Sequence, residues 1–180
     1  TLMEFEAFDK IARLSRGCTI TEKIDGTNAC IAISEEGHFY IGSRSRWITP
    51  EDDNFGFARW ASEHREELLL LGPGRHWGEW WGAGIQRRYG LTEKRFSLFN
   101  SARWSENTPP ACVSVVPVLY TGIFTSTAAD DALELLRREG SKAAPGFMKP
   151  EGIIIYQSAA RMYFKKTLDK DDEWKGKAAA

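Results

Sequence analysis

The sequence predicts an α+β domain of mainly antiparallel sheets with inserted helices. Three observations predict it. Short alternating or β-branched runs outnumber helical ones, the helical stretches fall between groups of strands, and turn residues separate the runs at short intervals. The 180 residues suit one domain, and no repeat or interdomain linker interrupts them.

Residues 18–24 alternate weakly and read as a strand, and 28–34 (NACIAIS) read as a second. Glu35, Glu36 and Gly37 make a turn, and 38–41 return as a third strand, so the three are expected to form a meander. Asp52 and Asp53 offer caps to a helix on which Phe57, Trp60, Ala61, His64, Leu68 and Leu71 recur at helical spacing, ending at Gly72-Pro73-Gly74. Residues 75–81 and 95–100 read as strands around a Gly- and Arg-bearing loop, 82–94. Residues 104–110 are polar and proline-bearing, which predicts loop. Residues 112–120 read as a buried strand, which Pro117 moves toward an edge. Thr127 is expected to cap a helix over 128–138 with Leu133, Leu135 and Leu136 turned inward. After a loop over 140–149, residues 152–156 and 162–167 read as a hairpin.

Composition excludes several function classes. A net charge of −1 provides no global basic field, so contact with a polynucleotide must come from local clusters. Three cysteines without paired spacing predict a reduced, cytoplasmic setting and argue against a zinc ribbon. The acidic N-terminal stretch lacks the apolar core of a signal peptide, and the longest aliphatic run, 68–71, is too short for a membrane span. No GxxxxGK[ST] or GxGxxG string is present. Core packing is the expected role of most of the seven tryptophans, although Trp47, Trp77, Trp80 and Trp81 lie near candidate site motifs.

The chemistry centres on Glu22-Lys23-Ile24-Asp25-Gly26-Thr27-Asn28. A single lysine is more often a solvated strand end. Here it precedes a tight Asp-Gly turn, and glycine permits close approach of phosphates to backbone. A lysine amine attacks phosphorus only when neutral, a form favoured by burial and by neighbouring cations. Lys165 and Lys166 would supply those cations if the last strand lay beside the first. A string Lys-x-Asp-Gly-x-Asn arises by chance in roughly one chain of this length in several hundred, from average residue usage.

On these residues the chain resembles the polynucleotide ligase and capping-enzyme superfamily, in its ATP-dependent RNA ligase branch. Lys23-Ile24-Asp25-Gly26 matches the first motif. Asn28 resembles the RNA ligases that seal nicks in duplex RNA, where DNA ligases and capping enzymes usually have arginine. The resemblance runs from Arg13 to Thr167 and implies an ATP-grasp-like nucleotidyltransferase (adenylation) domain over 1–168. A charged tail over 169–180 follows, with no separate C-terminal domain.

The other motifs follow in the family's order. Gly42-Ser43-Arg44 resembles the segment whose arginine contacts the nucleotide, which implies that role for Arg44. Gly78-Glu79 resembles the strand whose glutamate holds the ribose hydroxyls. An acid in so aromatic a strand needs a partner or ligand. Phe96-Ser97-Leu98-Phe99 matches the motif whose aromatic stacks on adenine, implying Phe99; on spacing alone Phe99 would be core. Pro150-Glu151-Gly152 matches the motif whose glutamate serves the metal. Glu22 and Asn28 join the implied nucleotide-binding set. Lys165 and Lys166 stand at the last motif, where adjacency puts them on opposite faces of a strand. Lys165 is preferred for the phosphates, since Tyr163 then shares its face and Phe164 faces the core.

The resemblance implies that Lys23 is adenylylated by ATP with Mg²⁺ or Mn²⁺, with Glu151 and Asp25 near the metal. AMP would pass to a 5′-phosphate RNA end, and a 3′-hydroxyl would displace it. Nicked or duplex RNA is the implied partner, with no membrane, and a protein partner could replace the C-terminal domain. Arg46, Arg87, Arg88, Lys94 and Arg95 are candidate phosphate contacts, at least half of them expected to be surface charge. Alternative readings are DNA ligation, cap guanylylation, or a non-catalytic module that binds nucleotide or RNA ends.

Overall fold

The computed structural model describes residues 1–169, so the charged tail beyond Asp169 lies outside the described residues. Nine strands form two sheets. The four-stranded sheet has the order β7-β1-β8-β9, from β1 (Gly17–Lys23), β7 (Val118–Ile123), β8 (Gly152–Gln157) and β9 (Met162–Thr167). All its pairs are antiparallel. The five-stranded sheet has the order β3-β2-β4-β5-β6, from β2 (Thr27–Ile33), β3 (Phe39–Ser43), β4 (Gly74–Gly82), β5 (Lys94–Leu98) and β6 (Ser114–Val115). Only β5 and β6 run parallel.

Each sheet buries one face under helix. On the five-stranded sheet, Ala29, Ile31 and Ile33 of β2 alternate inward and meet Phe57, Ala58, Ala61, Leu68 and Leu71. Those residues come from α1 (Phe57–Glu63), α2 (Arg65–Leu68) and a 3-10 turn, Leu69–Leu71. Asp53 supports α1 as expected: its carboxylate accepts the Ala58 and Arg59 backbone N–H groups at 2.7 and 3.1 Å. On the four-stranded sheet, Ile20, Ile153 and Ile155 pack under α4 (Ser126–Glu139), which presents Ala128, Ala129, Ala132, Leu133 and Leu136. Its cap is Thr125, whose hydroxyl accepts the Ala128 N–H at 2.9 Å, two residues before the expected Thr127. A third cluster, of Ile24, Trp81, Tyr89, Val116 and Ala144, packs Trp81 of β4 against residues of the connecting segments, among them the β1–β2 turn and the link between β6 and β7.

Four expectations are corrected. The first three strands are not one meander: β2 and β3 pair, but β1 belongs to the other sheet, so the Lys23 turn is a crossing between sheets. The last strand does not lie beside the first, because β8 stands between β1 and β9. The single strand expected over 112–120 is two, broken at Pro117, and each is an edge of a different sheet. Residues expected as loop after Trp104 instead finish a short helix, α3 (Ser101–Glu106), capped by the Asn100 side chain. Among the tryptophans, Trp80 and Trp81 are buried, whereas Trp47 and Trp77 are exposed.

Gly152 pairs with Lys23 on one side and Thr167 on the other. A Cβ there would collide with the Lys166 carbonyl oxygen and stand 2.7 Å from Thr167 Cα. Gly152→Ala is therefore expected to lower the unfolding free energy by about 1–3 kcal/mol, as overpacking does. It would appear as a lower urea midpoint at unchanged slope.

Candidate active site

Lys23 ends β1, where the chain leaves the four-stranded sheet. Its Nζ lies 2.9 Å from Glu151 Oε2, and both side chains are about four-fifths buried, at 24% and 17% exposure. The β1–β8 ladder brings them together, since Lys23 is paired with Gly152, the residue after Glu151. That Glu151 oxygen is fully buried and receives no aligned hydrogen bond, so the ion pair alone serves it.

Between β1 and β2 the turn lies directly on β4. A Cβ at Gly26 would strike the Trp80 carbonyl oxygen and sit 2.7 Å from Trp81 Cβ. This close approach lets the Gly26 N–H donate to the Glu79 carboxylate. Glu79 is 9% exposed. Burial pushes its pKa up to about 7; the Lys23 charge and the Gly26 hydrogen bond oppose the rise, and the Glu151 and Asp25 charges add to it.

Pairing across the five-stranded sheet aligns Asn28, Glu79 and Ser97 on one row of one face. Ser97 accepts the Trp81 indole N–H at 2.9 Å, which marks this as the face toward the third cluster. Arg44 is exposed one residue beyond the last β2–β3 pair, Ala29 with Ser43, which brings it level with Asn28. Phe99 follows β5 by one residue, donates its N–H to the Trp77 carbonyl at 3.0 Å and is half-buried against the third cluster.

The two β9 lysines separate as strand geometry requires. Lys165 pairs with Ile154, which pairs with Thr21, so it shares the face of β1 that carries Lys23. Lys166 pairs with Ile153 on the α4 face, where its Nζ meets Asp130 Oδ1 of α4 at 3.3 Å. Phe164 shares the α4 face but is exposed rather than buried in the core, because β9 is an edge.

Glu22, next to Lys23, points to the opposite side of β1. At 1% exposure its carboxylate accepts from the Ser141 hydroxyl and the Lys142 and Ala143 N–H groups at 3.0–3.1 Å. Burial raises its pKa, while these donors and the Lys142 charge hold it down. Its side chain is thus committed to the 141–143 loop rather than to a nucleotide. Asp25, expected near the metal, has Oδ2 engaged by Arg87 Nε at 3.1 Å.

Arg87, expected as a phosphate contact, is instead a clamp. Besides Asp25, it donates to the Lys149 and Pro150 carbonyls at 3.0 and 3.2 Å and to Asp169 Oδ2 at 2.9 Å. It thereby ties the Lys23 turn to the segment that enters Glu151 and to the chain beyond β9. Tyr89 from the same loop accepts the Asp25 N–H at 2.7 Å and packs edge-on to Trp81. Sequence reasoning missed both supporting roles. Their partners lie 62 or more residues away, and no local pattern signals them. Arg46 is paired with Asp52 and Arg95 with Glu93, as surface charges are.

A divalent cation fits this site in part. Among the described residues no group of three or more His, Cys, Asp or Glu side chains could hold a metal. The buried Glu151 oxygen, served by the Lys23 ion pair but by no aligned hydrogen bond, is nevertheless a hard donor. A cation there would take Glu151, waters and phosphate oxygens, the usual manner of Mg²⁺.

Two outcomes follow from the geometry. Arg87→Ala is expected to lower the unfolding free energy by about 1–3 kcal/mol, by leaving partly buried acceptors unpaired. Arg87→Lys should recover only part of it, as read by urea denaturation. Glu79 binds a proton in the folded state at pH values where the unfolded chain, near the ordinary 4.5, has lost it. Stability from this group is therefore full below about pH 4.5 and is lost as pH rises through about 7. Glu79→Gln removes that loss, so the variant should gain on the parent by about 1–3 kcal/mol between pH 4.5 and pH 8 in denaturation series.

The protein has relatives among solved structures. It superimposes on the Naegleria gruberi RNA ligase in a form with ATP and Mn at a TM-score of 0.64 and 19% identity, covering 87% of this chain and 51% of that one. A form of the same ligase with AMP and Mn gives a TM-score of 0.62 at 19% identity, covering 86% and 50%. An apo form gives 0.61 at 19%, covering 85% and 50%. The likeness is one of fold, that of the RNA ligase nucleotidyltransferase domain, and the chain spans about half the length of these ligases. No curated protein matches it significantly. The RNA ligase family model matches residues 17–170, well over half of the sequence, and the chain belongs to the RNA ligase family.

Proposed function

We propose that this protein is an ATP-dependent RNA ligase that works through a covalent lysyl-AMP, with Lys23 as the nucleophile. The observation that carries the reading is the Lys23–Glu151 pair at 2.9 Å, held where the two sheets meet and within electrostatic reach of Glu79. The seam brings this largely buried amine together with two carboxylates and a glycine turn. The solved relatives with ATP or AMP and Mn support a nucleotide and a divalent cation as ligands.

In the proposed first step, Lys23 Nζ gives its ammonium proton to solvent and attacks the α-phosphorus of ATP in line with departing pyrophosphate. A P–N bond forms, the P–O bond to pyrophosphate breaks, and the amine's remaining extra proton leaves to solvent. Glu79 and Asn28, adjacent on one row, are assigned to the ribose side. Phe99 is assigned to the base, and Arg44 with Lys165 to the phosphates. A divalent cation held with Glu151 supplies charge neutralisation at the phosphates.

AMP then passes to a 5′-phosphate RNA end, and a 3′-hydroxyl displaces it to form the phosphodiester. Both later steps on this chain, the nicked or duplex form of the RNA and any protein partner that completes its grip belong to the proposal. So does a cytoplasmic setting, which the three free cysteines support. Among the described residues, no helix is long and apolar enough to cross a membrane.

The test is covalent labelling. Parent protein with α-labelled ATP and Mg²⁺ or Mn²⁺ should retain label after denaturing electrophoresis, and Lys23→Ala should retain none. Label on Lys23→Ala would overturn the reading, and label from GTP but not ATP would redirect it to guanylyl transfer.

A further inference from the structure

The open face of the five-stranded sheet continues past the nucleotide row. Two residue pairs beyond Asn28 and Glu79, on the same face, the β4–β2–β3 ladders align Trp77, Cys30 and Gly42. Trp77 is 39% exposed. At Gly42 the missing side chain is replaced by a ring: a Cβ there would lie 3.3 Å from Trp47 Cε3 and 3.6 Å from Cys30 Cβ. The Trp47 ring therefore packs on Gly42, on the same face as Trp77, with 55% of its surface exposed. Tyr40 extends the row, its ring centroid 5.4 Å from that of Trp47.

Trp47 is the wall common to two concavities. One, of about 280 Å³, runs along Trp77, Cys30 and Gly42 and is rimmed by Arg44 and Arg75. The other, of about 480 Å³, lies at the β3 edge beside Tyr40. Neither Arg44 nor Arg75 makes an ion pair among the described residues, whereas neighbouring Arg46 is neutralised by Asp52. Exposed aromatic rings without a covering element, flanked by unpaired guanidinium groups, suit a polyanion that carries flat apolar faces. A protein chain would use the rings but has no comparable use for both cations.

We infer that this aromatic row is the path of a single-stranded RNA segment leading to the Lys23 site, with bases stacked on Trp47 and Trp77 and Arg75 on a phosphate. The inference rests on the RNA ligase reading and assigns a substrate subsite beyond the adenylylation residues. Neighbouring strands stand about 4.8 Å apart, so the positions of Trp77 and Gly42, two strands apart, are separated by about 10 Å, a distance an extended single strand can span. Base–aromatic stacking tolerates any sequence, which suits an enzyme that joins ends of varied composition.

The experiment uses the 180-residue chain and a fluorescein-labelled single-stranded RNA oligonucleotide, followed by anisotropy. Trp47→Ala should weaken binding about 5- to 100-fold, the range of one lost base stack, and Trp47→Phe should restore most of it. Arg75→Ala should weaken binding and reduce the slope of log affinity against log salt by about 0.7, the value for one phosphate on a single strand. Both variants should still form the AMP adduct with ATP alone, because neither residue belongs to the adenylylation site. If Trp47→Ala and Arg75→Ala bind the RNA as the parent does, the inference is wrong and a protein partner becomes the occupant. If both lose RNA while the parent forms no adduct, the groove stands and the lysyl-AMP reading falls.

Discussion

The site depends on a crossing. Lys23 ends a strand of one sheet and Thr27 begins a strand of the other, so the chain must change sheets within three residues. The four steps from Lys23 to Thr27 reach only about 14 Å, so the sheets have to meet there. Gly26 allows the meeting because its lack of a side chain lets the turn lie on the Trp80–Trp81 backbone. The other distances in the site follow. Lys23 is left at the seam, Glu79 receives the Gly26 N–H, and Glu151 arrives because β8 pairs with β1.

A seam of this kind concentrates charge at a cost. Glu79, Glu151 and Asp25 surround one lysine, and like charges near one another raise the free energy of the ionised forms. The fold relieves this unevenly. Asp25 is neutralised by Arg87, and Glu22, on the far side of β1, by three donors from the 141–143 loop. Glu79 has a single backbone donor, and Glu151 has Lys23 without an aligned hydrogen bond. The incompletely satisfied carboxylates are the two assigned to ligands, and the fully satisfied ones hold the scaffold. Unmet polar capacity inside a folded protein is expensive, which makes its location informative.

Strands and helices were legible in the sequence because alternation and helical spacing are local properties. Residues 18–24, 28–34 and the last hairpin were located to within a residue or two. Partnership was not legible. Alternation marks a strand but not its neighbour, so β1 was expected beside β2 rather than between β7 and β8. The ordered motifs named candidates that the structure brings to one seam, Lys23, Glu79 and Glu151, whereas supporting contacts from afar were opaque. Arg87 looked like any loop arginine, since its partners at Asp25, Pro150 and Asp169 converge only in three dimensions. Glu22, which the resemblance put in the nucleotide-binding set, faces away from Lys23 toward the 141–143 loop, because neighbours on a strand face opposite ways.

The same parity rule settles the lysine pair in β9. One lysine must face α4 and the other the seam, and the face is decided by what covers it. Ile153, opposite Lys166, is buried under α4, where Asp130 waits at the surface. Lys166 is thereby spent on holding the edge strand to its helix. Lys165 is left on the face of Lys23, beside no helix. Arg87 reinforces this arrangement from the far end, since its bond to Asp169 ties down the chain two residues after β9. An edge strand with one free side would otherwise be the least constrained part of the site. The clamp and the Lys166–Asp130 pair thus restrain the segment that presents Lys165, and a cation proposed for developing phosphate charge needs that fixed position more than it needs affinity.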